Sequence, residues 1–362
     1  MDKNKLLGQL RKKMDLIDFE LLKLINQRME HALRTRRLKE SILDPDREKE
    51  VMAGIRYRSQ GLIRPDFSEK LFREIISESR FLQEQAPKLI GFQGEHGAYG
   101  EVAARSVDPT LVPIPYVEFV DVFDEVINGQ LDYGIVPVEN SLEGAVTQVN
   151  DLLVEADVTK VKIVGEVKIP IHHCLLTLPG ADYNEIKVVY SHPQALAQCR
   201  KFISGHGLEQ RPYYDTAGAA MMLSNNRSRT VAAIASKLCA ELYNLEIRAE
   251  GIEDNEFNTT RFLMLSRHES KEDGNKCSII FSTEHRAGAL FSVLKIFSDA
   301  GLNLTRIESR PIRKDPGKYA FLLDFQGSNR DQKVIDALGE TRRKTILYKF
   351  LGCYKEATEL RV

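Results

Sequence analysis

The sequence predicts a multidomain protein: an all-α segment, a two-lobed α/β region, and an α+β segment of ferredoxin-like βαββαβ order. Three observations support this. At 362 residues the chain is more than twice the ~150 residues of a typical domain. Its apolar spacing is helical through residue 86 and gives way to short strand-like runs from Lys88. A polar linker at residues 269–276 then sets off a last stretch of strands and helices. The net charge of −1 leaves no global positive field for nucleic acid or an anionic bilayer. No apolar run approaches the ~18 residues needed to cross a membrane, and the start, Met1-Asp2-Lys3, has no signal-peptide core, so a cytosolic address is expected. Five widely spaced cysteines without a Cys-x-x-Cys pair read as reduced thiols rather than a disulfide framework or zinc site.

In residues 1–86, Leu7, Leu10, Met14, Ile17, Leu21 and Leu24 alternate three and four apart, the seam of a helix. Carried on in register, the seam meets Arg28, His31, Thr35, Leu38 and Ile42, so a cation sits on the apolar stripe and requires a buried anion. A helix over residues 6–42 would be roughly 55 Å long and should bury its seam against a second copy, in an intertwined dimer. Arg28 and Lys39 would share one of its faces, and Ser79 and Gln83 would share a face of a third helix at residues 66–85. Between them, Asp44-Pro45-Asp46 reads as an N-cap with proline at the first helical position, and Gly61 as the stop.

From Lys88, strands are expected at residues 89–92, 133–138, 161–169, 187–190 and 230–234, with a small-molecule cleft between two lobes. The glycines of Gly91-Phe92-Gln93-Gly94-Glu95-His96-Gly97-Ala98-Tyr99-Gly100 are not spaced for a dinucleotide, so no nicotinamide cofactor is expected, but such a strand-to-helix turn can seat an anion. His172 and His173, adjacent on a strand, would face opposite ways and share no metal. His192 before Pro193 reads as a turn residue, and Cys174 and Cys199 as small buried apolar groups. After the linker come a strand (278–282), a helix (288–300), two strands (304–312 and 319–325), a helix (331–342) and a strand (347–353).

The set Arg11, Arg28, Lys39, Asp44, Arg47-Glu48, Ser79 and Gln83 resembles the all-helical chorismate mutases over residues 6–85. The resemblance implies that Arg28, Arg47 and an Arg11 lent by a partner chain clamp the two carboxylates of chorismate. Lys39 and Gln83 would bond the ether oxygen as charge gathers there, and Glu48 the ring hydroxyl. Arg36 stands where that family often has glycine, and Thr35 replaces a small apolar residue.

The glycine-rich turn, together with Pro137-Val138-Glu139-Asn140-Ser141-Leu142-Glu143-Gly144, Ser191-His192-Pro193-Gln194-Ala195-Leu196, Asp215-Thr216-Ala217 and Asn258-Thr259-Thr260-Arg261-Phe262, resembles the prephenate dehydratases over residues 88–267. That implies a two-lobed domain like a type 2 periplasmic binding protein. It also implies that Thr260 donates to the departing ring hydroxyl with Arg261 beside it, and that Phe262 packs near the ring. Asn140, Ser141 and Thr216 would bind carboxylates, Gly144 would allow close backbone approach, and Glu139 would orient its loop. Gly100 stands where relatives commonly carry serine.

Gly288-Ala289-Leu290, Asn303-Leu304-Thr305 and Glu308-Ser309-Arg310-Pro311 resemble the ACT regulatory domain of prephenate dehydratases over residues 277–354. L-phenylalanine would then be a feedback inhibitor, its carboxylate on helix N–H groups and its ammonium on carbonyls or Glu308. The expectation is a bifunctional enzyme of phenylalanine biosynthesis with domains at 1–86, 88–268 and 277–354. Chorismate, prephenate and phenylalanine would be its small-molecule partners. It would use no cofactor or metal, engage no nucleic acid or membrane, and assemble as a homodimer or higher oligomer through its helical and ACT domains. Two alternatives are a dehydratase with a non-catalytic helical scaffold and a non-catalytic amino-acid sensor.

Overall fold

A computed structural model describes residues 3–59, 61–313, 315 and 317–357. The chain forms two compact units, Met1–Lys88 and Leu89–Val362.

The first unit is helical: α1 (Lys3–Arg36), α2 (Pro45–Arg58) and α3 (Pro65–Gln85). The 34 residues of α1 make a rod of about 51 Å. Only Met29 and Leu33 are buried on it, while the seam residues Leu10, Met14, Ile17, Leu21 and Leu24 are each at least half exposed. The helix stops six residues short of the expected Ile42. Thr35 turns its hydroxyl back onto the His31 carbonyl, a local bond that competes with the helix. Arg37, Leu38 and Lys39 then close tight i→i−3 turns, and Arg36 Nη1 bonds the Lys39 carbonyl at 3.0 Å. Lys39 therefore lies beyond α1 and does not share a helical face with Arg28. Asp44 caps α2 by accepting from the Arg47 N–H at 3.1 Å, with Pro45 at the first position, as expected. Ser59, rather than Gly61, is the C-cap of α2.

The second unit begins with β1 (Leu89–Gln93), α4 (Tyr99–Val107), β2 (Val112–Tyr116), α5 (Phe119–Asn128), β3 (Tyr133–Asn140), β4 (Gly144–Ala145), α6 (Thr147–Glu155) and β5 (Lys162–Pro170). The chain then crosses into a second lobe: β6 (Cys174–Thr177), β7 (Val188–Ser191), α7 (Pro193–Gln198), α8 (Arg200–Gly205), β8 (Glu209–Pro212), α9 (Thr216–Asn226), β9 (Val231–Ala235), α10 (Lys237–Tyr243) and β10 (Glu246–Glu250). It returns through β11 (Thr259–Ser266), which inserts antiparallel between β3 and β5. The sheet orders are β2-β1-β3-β11-β5, with β4 on β3, and β10-β6-β9-β7-β8. The expected strands appear with small end shifts. Absent from the sequence reading are β2, β4, β6, β8, β10 and, most consequentially, β11.

The last portion is β12 (Lys276–Ser282), α11 (Ala289–Asp299), β13 (Leu304–Pro311), β14 (Tyr319–Gln326), α12 (Gln332–Lys344) and β15 (Leu347–Tyr354), in the predicted βαββαβ order. Its sheet runs β13-β14-β12-β15. Strand β15 lies against β5 of the first lobe. At Gly352 an added Cβ would stand 2.2 Å from the Ile163 carbonyl oxygen, so only glycine permits this backbone approach.

Candidate active site

The cleft between the two lobes has a volume of about 400 Å³. Its floor is Ile135, Pro137 and Asn140 of β3 with Thr260 and Phe262 of β11. Its rim is made of helix starts: Tyr99-Gly100 of α4, Phe119 of α5, Val146 and Gln148 at α6, and Asp215-Thr216 at α9. First-turn N–H groups lack intrahelical acceptors and carry the positive end of the helix dipole, so several such ends around one cavity favour an anion. Among the described residues, no lysine or arginine lines the cleft. Asp215 joins the lobes here, accepting from the Glu95 N–H at 3.1 Å across the cleft and from the Ala217 N–H at 2.8 Å at the start of α9.

A buried chain of amides fixes Thr260. Asn140 Oδ1 accepts from the Leu142 and Glu143 N–H groups, both at 3.0 Å, which orients its amide. The Asn140 NH2 then donates to Thr260 Oγ1 at 2.9 Å and to Asn258 Oδ1 at 2.8 Å. Thr260 Oγ1 accepts there and also lines the cleft, so its own proton remains available to a ligand. Asn258 Nδ2 donates to Gln198 Oε1 at 3.1 Å, and Gln198 Oε1 also meets His173 Nε2 at 2.9 Å. Burial lowers the His173 pKa, keeping the ring neutral. Gln198 Oε1 can only accept, so the neutral ring donates to it from Nε2, while Nδ1 stands 3.0 Å from the Tyr99 hydroxyl, which donates to the His172 carbonyl at 2.6 Å. Burial also holds the Tyr99 hydroxyl protonated, its pKa well above the usual value.

Of the residues expected in this site, Thr260, Phe262, Asn140 and Thr216 line the cleft. Asn140 spends one amide hydrogen on Thr260 and the other on Asn258, so both are engaged within the protein in place of the expected carboxylate bond. Arg261 does not lie in the cleft. Neighbours on a strand point to opposite faces, so its side chain is buried behind the sheet on Glu166, Asp324 and Tyr354. Ser141 is tied to the next strand, accepting from the Thr259 N–H at 2.9 Å, and neither it nor Gly144 is among the lining residues. Glu139 is half-exposed, with a carboxylate oxygen 3.9 Å from Arg261. Tyr99, His173, Gln198 and Asn258 had no assigned role. Tyr99 and Asn258 lie within the glycine-rich and Asn258 to Phe262 motifs, whereas His173 and Gln198 join them only through the crossing of the two lobes.

In the helical unit the guanidinium of Arg28 meets the Ser79 hydroxyl rather than a carboxylate, and burial lowers its pKa. A half-buried cation held this way is suited to an anionic ligand. Gln83 Nε2 donates to the Ala32 carbonyl at 2.6 Å, tying α3 to α1. Lys39 Nζ lies 3.8 Å from Asp44, Glu48 pairs with Arg80, and Arg47 pairs with Glu50 at 3.0 Å. Arg11 lies on the exposed first half of α1.

In the C-terminal domain Gly288 is the N-cap of α11 at φ 77°, followed by Ala289 and Leu290. Ser282 and Arg310 both stand opposite Ala320 on their neighbouring strands, so the β12–α11 loop and the Glu308 to Pro311 motif reach the same end of the sheet. Ser309 and Pro311 are exposed there, whereas Arg310 is bound to Asp151 of α6 at 2.6 Å. Asn303 bonds Gln326 at 3.0 Å, and Leu304 packs on the domain core.

Family comparisons divide the chain along the same lines. Residues 10–84 match chorismate mutase type II, residues 90–270 prephenate dehydratase and residues 278–343 the ACT domain. A bifunctional chorismate mutase/prephenate dehydratase of Neisseria gonorrhoeae is 35% identical over 96% of this chain and 96% of that protein. An arogenate dehydratase/prephenate dehydratase of Arabidopsis thaliana is 38% identical over 75% of this chain and 74% of its own. The crystal structure of a prephenate dehydratase from Arthrobacter aurescens in complex with L-Phe is 33% identical, covers 74% of this chain and 90% of that one, and superposes with a TM-score of 0.69. With the mutase, dehydratase and ACT regions in one order and full-length similarity of this extent, the chain belongs to the bifunctional chorismate mutase/prephenate dehydratase family.

Proposed function

We propose that the helical unit rearranges chorismate to prephenate, that the cleft converts prephenate to phenylpyruvate, and that L-phenylalanine inhibits the second step from the C-terminal domain. The observation that carries the dehydratase reading is the Asn140–Thr260 bond of 2.9 Å, which leaves a hydroxyl proton available to a ligand in an anion-favouring cleft. In the reaction the bond to the ring carboxylate breaks and that group leaves as carbon dioxide. Its electron pair aromatises the ring, and the ring C–O bond breaks with oxygen leaving as water. Thr260 donates a hydrogen bond to that oxygen as negative charge develops, and the proton consumed is resupplied from solvent. Thr216 and the first-turn N–H groups of α4 and α9 hold the carboxylates, and Phe262 packs beside the ring.

For the mutase step, Arg28 is the preorganised carboxylate ligand. Lys39 and Gln83 face the ether oxygen in this reading, with Arg47 and Glu48 completing the site. The half-exposed seam of α1 supports a homodimer in which a second copy buries the stripe and lends Arg11. The test is to supply the purified protein with chorismate or prephenate separately and assay phenylpyruvate. Formation from both supports both steps. Formation from prephenate alone removes the mutase assignment, and none from either removes the dehydratase assignment.

A further inference from the structure

Behind the cleft floor lies a buried charge cluster that the reaction above does not use. Arg261, between the two cleft residues Thr260 and Phe262, directs its guanidinium away from the cleft and is only 7% exposed. Nε bonds Glu166 of β5 at 2.7 Å, Nη1 bonds Asp324 of β14 at 2.6 Å, and Nη2 bonds the Tyr354 hydroxyl of β15 at 3.1 Å. Two of these three partners belong to the C-terminal domain. Asp324 is itself shared: Ser278 Oγ donates to it at 2.6 Å, and Arg306 of β13 stands 3.9 Å away. Arg306 in turn donates to Asn150 of α6 at 2.7 Å, and β13 continues into Glu308 to Pro311. Burial works against the charged forms of Arg261 and Asp324, and their mutual attraction overcomes it, raising the arginine pKa and lowering that of the aspartate.

We propose that Arg261 is a positioning residue through which the C-terminal domain sets Thr260 in register, with Asp324 as the shared anion linking it to Arg306 on the effector strand. The assignment rests on the dehydratase reading of the cleft. A strand residue whose long side chain is locked by three bonds cannot slide or twist without breaking them, so its neighbours on either side are held with it. An effector that displaces β13 alters the Arg306–Asp324 distance and the share of Asp324 left to Arg261. That gives the fold two arrangements of one buried anion, which is the kind of element that can couple distant sites.

The test uses full-length Asp324→Asn, with Tyr354→Phe as the milder companion that removes one hydroxyl contact. Dehydration of prephenate and hydrogen exchange of the segment 259–266 are followed with and without L-phenylalanine, and the mutase rate serves as the folding control. For Asp324→Asn, kcat is expected to fall about tenfold with KM within about twofold, since ligand-binding groups are untouched. The phenylalanine dose response should weaken, and β11 exchange should become faster and insensitive to the effector. Tyr354→Phe should shift all of these in the same direction by less. Wild-type kcat, exchange and phenylalanine response in both variants would overturn the proposal. If the wild-type protein does not dehydrate prephenate, the function assignment fails, and β11 exchange in the variants still decides the positioning role.

Discussion

Thr260 carries the proposed chemistry because of what its oxygen already accepts. Replacing it by valine keeps the branched shape in a buried site but removes the proton, and losing one transition-state donor typically costs roughly 100- to 1,000-fold. Thr260→Val should therefore lose dehydration to that extent while the mutase rate is unchanged, so chorismate is turned into accumulated prephenate, visible by acid conversion and chromatography. Unchanged phenylpyruvate output would remove Thr260 from the mechanism. The motif around Thr260 was legible in the sequence, but its division of labour was not. Thr260, Arg261 and Phe262 read as one contiguous site, whereas strand alternation sends the middle residue to the opposite face. Asn140 is a similar case: its amide is turned by two backbone N–H groups that become its neighbours only in the folded turn.

Helix α1 shows which parts of an element a periodic pattern can specify. The seam is readable because six apolar residues repeat at helical spacing, but the C-terminal end depends on local bonds from Thr35 and Arg36 that compete with the ladder. In the proposed dimer the exposed seam is an interface, so Leu21→Glu should halve the sedimenting mass and depress the mutase rate, because Arg11 would no longer reach a second copy. Retention of the wild-type mass would show that the stripe is covered otherwise. On α11, Gly288 holds φ 77° with open space where a Cβ would stand, so the obstacle to substitution there is conformational. Forcing an L-residue into that left-handed backbone costs about 1–2 kcal/mol. Gly288→Val is expected to weaken L-phenylalanine binding in calorimetry at least tenfold and leave uninhibited dehydration intact. Unaltered affinity would place the effector elsewhere.

Across the second unit, the first lobe is assembled from two separated stretches of sequence, with β11 arriving only after the whole second lobe has been built. No local pattern announces this, since the central position of β11 is a matter of topology. The C-terminal domain is equally entangled with the cleft. Lys276 at the start of β12 is 4% exposed and pairs with Glu166 at 2.9 Å, the same carboxylate that Arg261 uses. A chain ending at His268 would strip Glu166 and Arg261 of these partners, and breaking buried pairs costs roughly 3–5 kcal/mol. Such a truncation should melt well below the full chain, by roughly 6–20 °C at ~2–4 °C per kcal/mol, with impaired dehydration. A truncation as thermostable and active as the full chain would mean that the buried cluster contributes little. In the intact protein, if phenylalanine weakens prephenate binding by some factor, prephenate must weaken phenylalanine binding by the same factor. Paired calorimetric titrations check this equality.

A cleft that surrounds its ligand with helix ends and neutral amides, and with no lysine or arginine among the described residues of its wall, has a consequence for how carbon dioxide is released. A carboxylate gripped by a fixed cation is stabilised as the anion, and that stabilisation vanishes when the group becomes a neutral, linear gas molecule. The grip would thus oppose the very bond cleavage it was meant to assist. Diffuse dipoles bind the dianion more gently and lose less as its charge drains into the ring.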